Sequence, residues 1–579
     1  MFKLMKRFVW RDWVAIALSA GLVVLQVYLE LKMPEYTGKL VALVQNGKVQ
    51  MNDVWANGGL MLLCSLGNVA AAVLCSLLLS RFANRLAHNL RVAIYEKVSS
   101  FSSAEMNRFS IPSLITRTTN DVAQIQMFFA IGLQMLLKSP ILAIWAIAKI
   151  SSTSVEWTTA VGVAIGVIAV VVGLVIAIAL PKFRRIQRLI DDLNDVTREN
   201  ITGVRVVRAF NAENYQEEKF GKANDKLTKN QLFTQRAMSF LMPTLNIVMN
   251  GLTLSIYWIG AILINRESVF EARVARLSEM AVFTQYALQI VMSFLMLVAV
   301  FIFLPRAVVS AKRVNEVLDT EPAIVDGPIE DVPDRGEIEF KDVAFSYEKG
   351  GEDTLEGISF SAKKGETVSF IGATGSGKTT VLNLLNRFYD CDGGEILVDG
   401  VNVKEYKQDS LRRKIGLISQ KSRLFAGDIA SNVAYGEVEP DEERVQQALR
   451  MAEADFVFDL EKGIHAEVAQ GGTNFSGGQK QRLCIARALY KGAEILIFDD
   501  SFSALDYKTD MVVRQNLKKA FADKTVLIVA QRIGTIKDSD RIIVLDGGRI
   551  AGIGKHDELL SACPVYKEIA LSQLDEEEL

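Results

Sequence analysis

The chain has 579 residues, of which half are hydrophobic and 23% charged, with a formal net charge of −2. That length is too great for one domain and suggests two to four, and the near-neutral balance argues against a nucleic-acid partner. A positive mean hydropathy of +0.21 beside so many charges fits neither an ordinary soluble enzyme nor a protein made only of membrane spans. It leaves a membrane half joined to a soluble half.

The N-terminus, MFKLMKRFVWRDW, is basic, and the apolar run after it is long and has no evident cleavage site. This predicts an uncleaved first membrane helix and no signal peptide. Six stretches are long and apolar enough to span a bilayer, which takes roughly 20 residues. They lie near 14–33, 58–80, 128–150, 158–180, 240–264 and 280–304. Basic residues cluster at the N-terminus and after the second and fourth stretches, which places those segments and the N-terminus in the cytoplasm. Arg266, Arg273 and Arg276 fall in a predicted outer loop and run against that rule.

The two inner connections are long, charged, apolar at helical spacing and nearly free of proline. Loops of that length without structure are uncommon. Two helices of about 24–30 residues each reach about 36–45 Å, so the connections are expected to be helical hairpins in the cytosol. Their tips are expected near Phe101–Arg108 and Val207–Tyr215. Lys138 falls inside the third stretch, where a charge is costly, and is expected either to face a substrate path or to snorkel to the inner interface. Trp145, Tyr257, Trp258, Phe283, Tyr286 and Phe294 are candidates to line a cavity for apolar, aromatic or cationic compounds, set against the simpler reading that such rings pack or face lipid.

After the sixth stretch, a helical continuation leads to the Pro- and acid-rich EPAIVDGPIEDVPDRG, and then the composition turns β-rich. The expected divisions are a membrane domain over 1–318, a linker over 319–336 and a soluble domain over 337–579. The five cysteines, Cys64, Cys75, Cys391, Cys484 and Cys563, are odd in number and irregular in spacing. They form no disulfide or metal framework, which fits a reducing cytosol for the soluble part. The three histidines are scattered and read as structural or surface residues.

In the soluble half, TVSFIGATGSGKTT is a strand followed by Gly372–Thr379, matching G-x-x-x-x-G-K-[ST]. Glycines let the backbone wrap phosphates, and successive N–H groups with the helix N-terminus supply positive potential. Lys378 would reach the β- and γ-phosphates and Thr379 would bind Mg²⁺. Further on, ILIFDDSFSALD is an apolar strand ending in Asp499 and Asp500, and in P-loop enzymes such a strand-end acid completes the Mg²⁺ site.

A third motif, NFSGGQKQR, stands about 20 residues before that acidic strand. Its core, Ser476, Gly477, Gly478 and Gln479, resembles the signature of the ATP-binding cassette superfamily. The order of six spans, long hairpins and one cassette over essentially the whole chain resembles an ABC exporter half-transporter. The resemblance implies an all-α six-helix transmembrane domain followed by an α/β P-loop cassette, in the bacterial plasma membrane with the cassette and the N-terminus cytoplasmic. It implies ATP and Mg²⁺ as ligands. Tyr347 in FSY looks like the aromatic that stacks on adenine. Gly372, Thr374, Gly375, Ser376, Gly377, Lys378, Thr379 and Thr380 would hold the phosphates. Gln420 in LISQ, with Thr379 and Asp499, would stand at Mg²⁺, and Asp506 closing SALD would lie in the dimer-contact loop.

The family pairs two cassettes head to tail, each ATP lying between one P-loop and the other chain's signature. At the position after the strand aspartate the family usually has a glutamate, and this chain has Asp500; where a histidine usually contacts the γ-phosphate, in LIVAQR, it has Gln531. Asp500 is one methylene short, and catalytic placement tolerates only about 0.5 Å of error. Gln531 hydrogen-bonds but cannot be cationic. These departures imply a degenerate site and, as partner in a heterodimer, a second half-transporter carrying the usual glutamate and histidine. Such asymmetry resembles heterodimeric bacterial multidrug exporters, which implies small hydrophobic compounds, drugs foremost, as cargo. A lipid or peptide exporter, and a membrane-bound ATP-responsive channel or sensor, are the alternatives. Drift without consequence in a homodimer is the bland reading of the two altered positions.

Overall fold

In a computed structural model the described residues are 2–573 except 46–49, 152, 331, 334, 348–350, 504 and 521. They fall into two compact units. One comprises Met1–Ser99 and Pro112–Thr320, the other Ser100–Ile111 and Glu321–Leu579.

The first unit is helical. Six helices among the described residues are long and apolar enough to cross a membrane: Trp10–Gln45, Met51–Ser99, Ile111–Ile150, Val155–Val175, Glu213–Arg266 and Phe270–Asp319. Each contains or overlaps one of the stretches read from hydropathy. The helix that holds the fourth span continues to Thr202. Both inner connections are helical to near their tips, as the lack of proline and the helical spacing required. The second tip is a short helix, Val204–Ala209, and a turn before the helix that starts at Glu213. The third span carries two π-helical turns, Arg117–Asp121 and Phe128–Gly132.

The core of this unit gathers Val27 and Leu31 of the first span, Leu142 and Ala146 of the third, Trp157 of the fourth, and Phe283, Tyr286 and Ile290 of the sixth. Two of the candidate cavity residues therefore have another job. Phe283 packs on Trp157 with ring centroids 5.3 Å apart, and the Tyr286 hydroxyl donates to the Leu31 carbonyl at 2.9 Å. Trp145 and Phe294 pack against the same core, whereas Tyr257 and Trp258 are exposed. Two of the three outer-loop arginines are locally occupied: Arg276 pairs with Glu279 at 3.0 Å and Glu267 at 3.5 Å, and Arg273 Nε donates to the Glu267 carbonyl at 2.7 Å. The Lys138 ammonium, which either expectation left without a protein partner, pairs with Glu30 of the first span at 2.9 Å.

The second unit is α/β. Its strands are β1 Ile338–Phe345, β2 Leu355–Ala362, β3 Thr367–Ile371, β4 Gly393–Val398, β5 Val401–Asn402, β6 Ile415–Ile418, β7 Gly427–Asp428, β8 Glu467–Val468, β9 Ile495–Asp499, β10 Thr525–Val529, β11 Arg541–Asp546 and β12 Arg549–Gly554. Among the described residues they form a four-stranded sheet in the order β2-β1-β4-β5, a six-stranded sheet in the order β12-β11-β3-β10-β9-β6, and the β7-β8 pair. In the six-stranded sheet all neighbours are parallel except β11 and β12. Parallel strands covered on both faces read as continuous apolar runs, and β9, ILIFD, is buried along its whole length. The order places the C-terminal ends of β3, β9 and β10 side by side, where open α/β sheets bind ligands.

Candidate functional site

Strand β3 runs into the Gly372–Thr379 loop and then into the helix Lys378–Leu385. The loop's path requires glycine at two places. Gly377 has φ +98°, and a Cβ there would lie 2.5 Å from Leu355 Cδ2; a Cβ on Gly372 would lie 2.0 Å from the Leu545 carbonyl oxygen. Ser376 and Thr380 are buried beneath the loop, whereas Thr374 and Gly375 are exposed at its crest. The Lys378 ammonium closes on the loop, donating to the carbonyls of Gly372 at 2.8 Å and Ala373 at 2.7 Å. Burial pulls its pKa down, against the attraction of Asp500 and Asp499.

The end of β9 faces this loop. Thr379 Oγ1 donates to Asp499 Oδ1 at 3.0 Å. Burial pushes the Asp499 carboxyl up from the usual carboxylate range, and the Thr379 hydrogen bond only partly offsets this. Asp500, the next residue, has φ +48° and is buried; aspartate tolerates this left-handed conformation better than most residues. Two glutamines converge on one of its oxygens. Gln531 Nε2, just past β10, donates to Oδ2 at 2.9 Å, and Gln420 Nε2, just past β6, donates to the same Oδ2 at 3.2 Å. Parallel pairing of β6, β9 and β10 brings the three residues together from strands far apart in sequence.

Tyr347 stands to one side. Its hydroxyl is 3.1 Å from Thr380 Oγ1, its ring meets Tyr389 edge to face at 5.2 Å, and half of the residue is exposed. The free face suits stacking on a planar base. Tyr389 was not singled out from the sequence. Its hydroxyl also accepts from Asn107 Nδ2 at 3.0 Å, in the short helix Ser103–Phe109 that packs within this unit. A tyrosine in RFYD carries no local signal of such a contact.

The SGGQ stretch forms a separate edge. Ser476 caps the helix Gly477–Lys491, accepting from Gln479 N at 3.3 Å, while Gln479 Oε1 accepts from Ser476 N at 2.8 Å. This reciprocal capping box fixes the helix start and leaves Ser476 and Gly477 exposed. A side chain at Gly477 would meet nothing within 4 Å, and Gly478 follows in the same first turn. No described hydrogen bond joins these residues to the Gly372–Thr379 loop. Asp506 is exposed and accepts from Thr509 N at 3.1 Å, and that bond holds its carboxyl below the usual range. Ala504 of SALD lies outside the described residues.

Comparison with known families now identifies the assembly. The family model described as ABC transporter transmembrane region matches residues 16–294, and that described as ABC transporter matches 355–503. The chain belongs to the ABC transporter family. It is an exporter half-transporter, a multi-pass membrane protein with a cytoplasmic cassette that binds and hydrolyses ATP to drive transport. It is 37% identical to an uncharacterised ABC transporter ATP-binding protein of Mycobacterium tuberculosis over 93% of this chain and 90% of that one. It is 32% identical to an ATP-dependent lipid A-core flippase of Pseudomonas fluorescens over 86% of this chain and 82% of that one. A solved bacterial Atm1-family ABC exporter with ATP bound superposes with a TM-score of 0.80 at 25% identity, covering 98% of this chain and 99% of that one.

Proposed function

We propose that this half-transporter works in a heterodimer that exports amphipathic compounds, drugs foremost, and that its own P-loop site binds ATP but hydrolyses it slowly. The observation that carries the reading is the double donation of Gln420 and Gln531 to Asp500 Oδ2. A carboxylate that activates water needs a free lone pair directed at that water. Here the short aspartate is held back toward the sheet, with one oxygen occupied by two amides. Gln531 is spent on that contact and cannot be cationic, so it offers little to charge developing on a γ-phosphate.

Binding is better provided for. Gly372, Thr374, Gly375, Ser376, Gly377 and Thr380 shape the phosphate cradle, Lys378 supplies the cation, and the open ring of Tyr347 takes the base. Thr379 Oγ1 and Asp499 Oδ1, 3.0 Å apart, are oxygen donors that fit Mg²⁺, and Gln420, exposed just past β6, would add its amide oxygen. Held by these residues, Mg²⁺ would supply positive charge against the phosphate oxygens. The exposed, capped start of the helix at Ser476, Gly477, Gly478 and Gln479 presents N–H groups and a positive dipole end to the partner-bound ATP, with Asp506 in the dimer-contact loop. In this arrangement the competent hydrolytic site uses the partner's P-loop and this chain's signature.

The flippase relatives favour lipid export as a second reading of the cargo. ATP-driven uptake of a fluorescent amphiphile into inside-out vesicles holding the assembled complex tests the exporter reading. Uptake that stops when the glutamate of the partner's competent site is replaced, and persists when Asp500 is, supports unequal sites; equal loss from both contradicts them.

A further inference from the structure

The membrane unit holds a polar cluster that ATP chemistry does not use. Glu30 of the first span and Lys138 of the third are paired at 2.9 Å, with side chains 21% and 18% exposed. Lys138 lies about 18 Å along the helix from its end at Ile150, well inside the apolar stretch. Gln26 stands one helical turn before Glu30, and Ser139 directly follows Lys138. Both are 1% exposed. Gln289 of the sixth span donates through Nε2 to the Glu30 carbonyl at 3.4 Å. Four atoms of this group, Gln26 Nε2, Glu30 Oε2, Ser139 Oγ and Gln289 Oε1, are buried with no hydrogen-bond partner among the described residues, Glu30 Oε2 being engaged only by the ion pair. Surrounding positions are apolar: Val23, Val27, Leu31, Leu142.

A buried polar atom without a partner is destabilising, and an ion pair inside a membrane span is expensive and marks function. The cluster keeps one donor, one acceptor and a hydroxyl unused around a charge pair whose side chains stay partly exposed. Its net charge is zero. A lone cation or a lone anion entering here would set one protein charge against its own kind, whereas a ligand carrying both charges extends the pair in both directions. We propose that Gln26, Glu30, Lys138, Ser139 and Gln289 form a subsite for a zwitterionic group, a primary ammonium close to an anionic oxyacid. Glu30 and Gln289 Oε1 take the ammonium; Lys138, Gln26 Nε2 and Ser139 take the anionic oxygens. The subsite rests on the reading of the chain as an exporter of amphipathic compounds and narrows that class. The same chemistry is offered by an ethanolamine lipid headgroup and by a free amino-acid terminus.

The test is equilibrium binding to the full chain in dodecyl maltoside. Two zwitterionic probes distinguish the sources: lysophosphatidylethanolamine with a nitrobenzoxadiazole on its acyl chain, and Nε-dansyl-lysine. Controls are the same labelled chain on glycerol, without charge, and on an alkylammonium. At least one zwitterionic probe is expected to bind about 10-fold more tightly than both controls, and Glu30→Gln with Lys138→Met together abolish that preference. Ser139→Ala and Gln26→Leu each weaken the same probe by about 10-fold, the scale of a hydrogen bond to a charged group. Neither lowers the thermal midpoint of the ligand-free chain, because the atoms removed have no partner in it; a purely structural cluster would show no change in probe affinity. Zwitterionic probes that bind no better than the controls, or a double variant that keeps the preference, overturn the proposal. A complex that binds the probe and moves no amphiphile in vesicles contradicts the exporter reading and leaves the subsite standing.

Discussion

The two functional edges of the cassette differ in how their side chains are engaged. At the P-loop edge nearly every group is turned inward: Lys378 onto the loop's carbonyls, Thr379 onto Asp499, and Gln420 and Gln531 onto Asp500. At the signature edge the polar side chains only cap their own helix, and Gly477 faces open space. On the proposed reading the first edge is a set of ATP-holding groups around an acid with one oxygen hydrogen-bonded by two amides. The second is a helix start suited to an anion, with nothing within 4 Å of a side chain placed at Gly477. On the proposed reading one chain carries a weak hydrolytic half and a sound complementary half, and damage to the two should have unequal consequences.

The largest effect is expected at the open edge. Gly477→Asp puts a carboxylate where the partner-bound γ-phosphate would lie, and ATPase activity of the assembled complex should fall by about 10²–10³-fold, as when a preorganised stabilising group is removed. Near-normal turnover would erase the distinction between the edges. Lys378→Ala comes next. Labelled ATP should no longer photocrosslink to this chain's own P-loop, while the complex keeps a reduced but measurable turnover, lower by roughly 10-fold. Undiminished crosslinking in that variant would remove Lys378 from its role.

Smaller still is the gain from repair. Asp500→Glu alone should add little, because Gln531 remains as a poor donor. With Gln531→His as well, single-turnover hydrolysis at this site should rise by about 10-fold or more, and only when a partner signature is supplied. The smallest effect concerns Asp499. Burial raises its pKa in the fold, so the folded chain binds that proton more tightly than the unfolded chain. Its contribution favours the fold below the unfolded carboxylate pKa of about 3.9 and turns unfavourable as pH rises through the raised value. Asp499→Asn should therefore raise the thermal midpoint of the nucleotide-free cassette at pH 7 by about 1–2 °C, less toward pH 4, while removing the extra stabilisation that Mg²⁺ adds to ATP. A midpoint lowered equally at both pH values would contradict the burial argument.

The two halves of the chain were unequally legible. In the cassette, function is written locally: the Gly372–Thr379 loop, the strand ending at Asp499 and the SGGQ stretch each bring their own backbone geometry, and the six apolar stretches likewise mapped onto the six long helices. What local pattern could not disclose were contacts made across strands and spans. Gln420, Asp500 and Gln531 meet only because β6, β9 and β10 are parallel neighbours, so the double hydrogen bond on Asp500 has no signature in sequence. Lys138 was visible as an anomaly, but its partner Glu30 sits in another helix, near the end of a stretch where a glutamate attracts no notice. Phe283 and Tyr286 looked like cavity aromatics because a ring that packs and a ring that binds have the same composition; only the Trp157 contact and the Leu31 hydrogen bond separate them.

The most direct test of unequal sites is steady-state ATPase activity of the purified full-length chain alone, measured beside the complex formed with the proposed partner half-transporter. With Asp500 bonded by Gln420 and Gln531, the chain alone should turn over at least about 10²-fold more slowly than the complex, the scale of one lost preorganised group. Brisk turnover by the unmodified chain as a homodimer, close to that of the complex, would contradict the account and return the two altered positions to harmless drift.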